Sequence, residues 1–128
     1  MLMLNLEKNN IYEIIMITLS ILFFSLASLL GMLILYKWLT KKNASRAVIL
    51  SHGGIAFAGL LLLLIYSYNN PDSFPKFSII FFALAVISGL YIFINSLKNK
   101  TSPMIYAFFH AFLAVLGIVS LIVFVVLK

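Results

Sequence analysis

The sequence predicts an all-α integral membrane protein, built as a bundle of four transmembrane helices from two tandem helical hairpins. Three observations lead to this prediction. The 128 residues are 64% hydrophobic and only 9% charged, whereas a soluble domain carries about 25% charged residues. The charges occur in short stretches that separate four uncharged runs. The second half of the chain also repeats the first half.

Each uncharged run is long enough to cross a bilayer. The runs cover residues 14–36, 47–71, 77–97 and 101–127. A helix needs about 20 apolar residues to cross a ~30 Å hydrocarbon core, and backbone groups in lipid must bond within their own segment. None of the runs shows the alternation of a barrel strand. We therefore expect one transmembrane domain over residues 1–128, with spans at about 12–36, 46–67, 77–96 and 103–127.

The first run is expected to remain in the protein as a span. The segment before it contains one lysine and one glutamate, which is not the basic start of a signal peptide. The run is also longer than the apolar core of such a peptide.

The basic residues predict the orientation. Six of them lie between the first and second spans or between the third and fourth: Lys37, Lys41, Lys42, Arg46, Lys98 and Lys100. The remaining three lie on the opposite side: Lys8, Lys76 and Lys128. Positive residues stay in the cytoplasm, so both termini are expected outside, and the bacterial inner membrane is the expected location. Attraction to anionic lipid accounts for the net charge of +6 without a nucleic-acid partner.

Several functional classes lack their signatures. The chain contains no cysteine, which excludes disulfides, iron–sulfur ligation and covalently attached haem. It has no HExxH motif, P-loop or glycine-rich nucleotide fingerprint. A hydrolase or transferase is therefore not expected, whereas a haem-dependent oxidoreductase remains open.

The internal repeat pairs residues 20–66 with residues 78–124 at an offset of 58. The only two histidines, His52 and His110, align with each other, as do the glycine pairs Gly31/Gly89 and Gly59/Gly117. A repeat of two spans keeps its topology, so the predicted pseudo-two-fold axis runs along the membrane normal. The histidines are then expected at equal depth on diagonal helices, facing each other across that axis.

This layer of histidines and glycines favours a haem site. Two imidazoles on opposite sides of the axis can ligate one iron, so His52 and His110 are the predicted metal ligands of one haem b. Glycines on the other two helices, Gly31 and Gly89, would let the edges of the macrocycle approach the backbone. The small residues one and two turns beyond the histidines would leave space for the ring: Ala56, Gly59, Ala114 and Gly117. Arg46 and Tyr106 are expected near the propionates.

On His52, His110, Gly31 and Gly89 the chain resembles the membrane b-type cytochromes of the cytochrome b561 kind. The resemblance implies haem b held between paired histidines on facing helices, and electron transfer to or from a quinone, a soluble redox protein or a neighbouring membrane subunit. Members with two haems carry a second histidine pair near the opposite face, and this chain has no such pair.

Two other functions fit the same pattern. A histidine inside a span is usually functional but can also hydrogen-bond a neighbouring helix. The chain would then be a non-redox scaffold or accessory subunit with structural histidines. A small transporter is the other alternative, although no proline interrupts a span as in many transport sites. The sequence fixes neither the redox partner nor the oligomeric state.

Overall fold

The computed structural model describes residues 1–98, 100 and 102–128, which form four α-helices joined by three short loops. The helices are α1 (Leu2–Leu39), α2 (Arg46–Asn69), α3 (Lys76–Leu97) and α4 (Met104–Leu127). Loops 1, 2 and 3 join them in that order. Loops 1 and 3 lie at one end of the bundle, and loop 2 lies at the other.

All four helices are long and apolar enough to cross a membrane. Their most apolar windows have mean hydropathies between 2.3 and 2.8. The predicted all-helical class is therefore confirmed, as is the number of helices with the length and composition of a span. The main difference lies in α1, which begins at Leu2, ten residues before the predicted start of the first span. Glu7 and Lys8 are compatible with a helix outside lipid, so the helix can begin before the apolar run begins.

The end of α1 is shaped by Lys41. The amide of Lys42 donates to the Lys37 carbonyl, and the amide of Lys41 donates to the Trp38 carbonyl. This pair of bonds is a Schellman motif, which requires a left-handed residue and usually places glycine there. Lys41 takes that conformation with a φ of 55°. The Ser45 hydroxyl then accepts a bond from the Val48 amide and caps the start of α2.

Helices pack most closely within each hairpin. The contacts between α1 and α2, and those between α3 and α4, greatly outnumber the contacts that join the two hairpins. The structure is therefore two tight hairpins with a looser boundary between them.

The buried core that joins the hairpins lies on the loop 2 side of the histidines. Its fully or nearly buried members come from all four helices: Ile17, Phe24, Leu63, Tyr66, Phe82 and Leu121. Phe24 of α1 and Phe82 of α3 stack with ring centroids 3.8 Å apart. These residues hold the four helices together at that end.

Candidate functional site: a facing histidine pair

His52 is fixed by a bond to the preceding helix. Its Nδ1 atom lies 2.8 Å from the carbonyl oxygen of Ala27. A carbonyl can only accept, so Nδ1 carries the hydrogen and donates it, and Nε2 is left with its lone pair in the neutral ring. The imidazole reaches α1 because Gly31 has no side chain: a Cβ there would lie 3.0 Å from His52 Cε1.

His110 repeats this arrangement 58 residues later. Its Nδ1 donates to the Ala85 carbonyl at 2.8 Å. A Cβ at Gly89 would lie 2.9 Å from His110 Cε1. The two hairpins therefore orient their imidazoles by the same bond and the same glycine contact.

The structure brings the two imidazoles together across the boundary between the hairpins. Their ring centroids are 6.0 Å apart and their planes meet at 75°. No hydrogen bond joins His52 to His110 in the described part of the chain. Metal–imidazole bonds of about 2.0–2.1 Å would put two opposed nitrogens about 4 Å apart and their ring centroids roughly 6 Å apart. The observed centroid separation of 6.0 Å is therefore compatible with imidazoles on opposite sides of one metal ion.

The second hairpin adds a hydroxyl beside its histidine. Ser88 donates to the carbonyls of Leu84 and Ala85 at 3.0 Å, and its oxygen lies 3.4 Å from His110 Nδ1. The Ala85 carbonyl is thus shared between Ser88 and His110. The equivalent residue of the first hairpin is Leu30, which has no hydroxyl to offer.

The predicted small residues beyond the histidines have two environments. Ala56 and Ala114, one turn beyond, are half-buried. Gly59 and Gly117 pack against phenylalanines: a Cβ at Gly59 would lie 3.1 Å from Phe23 Cβ, and one at Gly117 would lie 2.6 Å from Phe82 Cε1. The glycine positions are therefore filled by aromatic rings from the neighbouring helix, and contact with a cofactor at Gly59 and Gly117 stays a prediction.

The two residues predicted near the propionates lie toward the loop 1 and loop 3 end. Arg46 is the first residue of α2 and is exposed. Tyr106 lies one turn before His110, but its ring packs against Tyr91, with centroids 4.9 Å apart. This contact holds Tyr106 on the outer face between α3 and α4. A role for Arg46 or Tyr106 toward a bound group stays a prediction.

Sequence reasoning missed the groups that orient the imidazoles, the carbonyls of Ala27 and Ala85. A signal for them was present. Both residues are identical in the repeat, and each precedes the paired glycine by four residues, which places it on the same helix face. Gly31 and Gly89 were singled out for contact with a macrocycle, and the structure gives them a different neighbour, the imidazole of their own hairpin.

The donor set fits haem better than a free metal ion. Among the described residues, no group of three or more His, Cys, Asp or Glu side chains converges, whereas structural zinc takes four such ligands. Haem iron needs only two axial ligands from the protein. Ligating histidines typically donate their other ring nitrogen to a carboxylate or a backbone carbonyl, and His52 and His110 both do so.

No family model, curated protein or solved structure matches this chain.

Proposed function

We propose that this chain is a small membrane b-type cytochrome that holds one haem b between His52 and His110 and transfers electrons. The observation that carries the proposal is the pair of imidazoles 6.0 Å apart, each with Nδ1 bonded to a carbonyl and Nε2 left for iron. The bond fixes the tautomer that a ligand through Nε2 requires.

A membrane location is supported by the outer surface of the bundle. Large apolar side chains are exposed on every helix, including Leu22, Phe57, Ile87 and Phe112. A continuous apolar surface of this kind is unstable in water and suits lipid. The distribution of the basic residues supports an orientation with loops 1 and 3 in the cytoplasm and both termini outside. The same rule is consistent with a bacterial inner membrane.

A pseudo-two-fold axis along the membrane normal is supported by three ring contacts. Phe24 contacts Phe82, His52 contacts His110, and Tyr66 contacts Phe124. In every pair the partners are 58 residues apart, so each residue meets its own equivalent in the other hairpin. Such self-pairing is what a two-fold axis between the hairpins produces.

The chemistry follows from the ligands. A bound haem held by His52 and His110 would supply a one-electron carrier, and two histidine ligands would favour electron transfer over oxygen binding. The carbonyls of Ala27 and Ala85 orient the ligands and increase their basicity. Basic residues at the loop 1 and loop 3 end, Arg46 among them, suit the propionate charges. A quinone, a soluble redox protein or a neighbouring membrane subunit would exchange the electron.

The test is an absorption spectrum of the protein purified in detergent after expression with added haem precursor. We expect Soret and α bands in the reduced-minus-oxidised difference spectrum. His52→Gln and His110→Gln should each abolish them, while Phe112→Leu, on the exposed face beside His110, should keep them. Wild-type protein that is folded but shows no haem band would refute the proposal.

A second candidate is a non-redox scaffold or accessory subunit, favoured by the same two bonds. Each imidazole already donates to a carbonyl of the preceding helix, which by itself strengthens helix packing. Under this function the purified protein has no haem band, and His52→Gln changes only stability or assembly. The spectrum therefore separates the two candidates.

A further inference from the structure

The two ends of the bundle differ in how they join the hairpins. In the described residues, five pairs of residues connect one hairpin to the other through aromatic or polar side-chain contacts. Four lie toward the loop 2 end: the ring pairs Phe24–Phe82 and Tyr66–Phe124, and the bonds from Lys128 Nζ to Tyr66 (2.7 Å) and to Glu13 (3.4 Å). Only the His52–His110 contact lies toward loops 1 and 3. The buried core that joins the four helices is also on the loop 2 side.

We infer that the hairpins separate at the loop 1 and loop 3 end to admit the cofactor, and that the loop 2 end stays closed and acts as the hinge. This inference rests on the proposed haem function. Each hairpin moves as a unit because its own helices are in close contact and its histidine is bonded within it. Opening therefore breaks the contact between two imidazoles and leaves both Nδ1 bonds intact.

Charge supports the same end as the entrance. Haem b is a flat apolar ring with two carboxylates at one edge. The loops and helix ends around the proposed entrance carry exposed cations and no acidic residue: Lys41, Lys42, Arg46, Lys98 and Lys100. Opposite charges attract the carboxylates to this end. At the loop 2 end, Glu13 and Asp72 are present, and Glu13 is held by Lys128.

The order of events follows from these contacts. In the open state the imidazoles of His52 and His110, which face each other when closed, no longer touch, and a gap lies between them. A haem that took one ligand from each hairpin, His52 and His110, would join the hairpins at the end where they otherwise share little. Loading of the cofactor thus closes the entrance and lowers the mobility of that end alone.

The absence of native cysteine allows distances to be measured between paired spin labels in full-length protein. One variant carries Asn43→Cys and Ser96→Cys, which span the hairpins at the proposed entrance. The control carries Asn69→Cys and Val126→Cys, which span them at the loop 2 end. All four positions are exposed. We expect haem loading to narrow the entrance distribution and shift it to shorter distances, and to leave the control unchanged.

The possible failures are distinct. Protein that shows the haem band but has the same entrance distribution with and without haem would overturn the hinge alone. A change of equal size at both ends would also overturn it. Protein without a haem band would overturn the proposed function, and the hinge with it.

Discussion

The two hairpins share one way of placing a histidine but differ in what surrounds it. In both, an imidazole donates to a carbonyl 25 residues earlier at 2.8 Å and packs against a glycine. The second hairpin alone has Ser88 beside its histidine and Ser120 bonded to buried Ser78. The first hairpin has leucine at the positions of both Ser88 and Ser120. The hairpins share the geometry of their histidines and differ in the packing around them.

The largest difference in stability between equivalent substitutions in the two hairpins is expected at Gly59 and Gly117, the glycines that pack against phenylalanine. Gly117→Ala would place a Cβ 2.6 Å from a ring carbon of Phe82, and that ring cannot move freely because it stacks on Phe24. We expect a loss of about 2–3 kcal/mol in the free energy of unfolding, the upper range for overpacking. Gly59→Ala, with its closest contact at 3.1 Å, should lose about 1 kcal/mol. Unfolding titrations in detergent measure both, and equal losses would contradict the comparison.

The glycines that face histidine should behave alike. Gly31→Ala and Gly89→Ala each push a Cβ to 3.0 or 2.9 Å from an imidazole, so each should weaken the bond from Nδ1 to the carbonyl. We expect about 1–2 kcal/mol of destabilisation in both and a similar loss of haem occupancy. Gly53→Ala is the control, because nothing lies within 4 Å of a Cβ added there. Its free energy of unfolding should rise by about 0.5–1 kcal/mol. A loss of haem confined to one of the two histidine-facing variants would show that the ligands are not equivalent.

Tyr66 differs from its equivalent Phe124 by one hydroxyl. That hydroxyl accepts a bond from Lys128, which raises the pKa of Lys128 above its ordinary 10.5, with a smaller contribution from Glu13. A raised pKa in the folded state means that the stabilisation is complete below about pH 10 and is lost as the pH rises through the folded pKa. Tyr66→Phe should cost about 1 kcal/mol at pH 7.

Measuring the free energy of unfolding from pH 7 to pH 11 separates this bond from simple packing. The wild type should lose stability at the alkaline end. Lys128→Met should not show that loss, because it removes the cation and leaves Tyr66 in place. If Lys128→Met retained the full alkaline loss seen in the wild type, the bond would not be its cause.

The smallest effect is expected at the end of α1. Lys41 is held at a φ of 55°, where a side chain is disfavoured and glycine or asparagine is tolerated. The equivalent residue in the second hairpin is Asn99, which lies outside the described residues. Lys41→Asn should therefore stabilise the protein by about 0.5 kcal/mol. Lys42→Asn removes the same charge from the next residue and should give no such gain; a gain in both variants would assign the effect to charge.

The number of helices and the pairing of the histidines were predictable, because apolar runs and an internal repeat can be recognised directly in the sequence. Four uncharged runs predicted the four helices, and the alignment of His52 with His110 predicted that the imidazoles would face each other. The early start of α1 at Leu2 was not predicted. Hydropathy marks the part of a helix that can lie in lipid, and it does not mark the residue at which the helix begins. The carbonyls of Ala27 and Ala85 were missed because a backbone acceptor has no residue type to reveal it.

The role of Gly31 and Gly89 shows the limit most clearly. The repeat predicted that both glycines share a layer with the histidines, and the structure places an imidazole beside each of them. Depth does not specify which side of a helix a residue presents to which neighbour. In the structure, each glycine faces the imidazole of its own hairpin.

The three ring pairs that join each residue to its own counterpart have a consequence for how the two halves can vary. In a symmetric dimer of identical hairpins, every substitution would appear on both sides of such a contact. In a single chain each half can change alone. A serine therefore stands beside one histidine where the other half has leucine, and a tyrosine meets a phenylalanine, while the two histidines are the same in both halves.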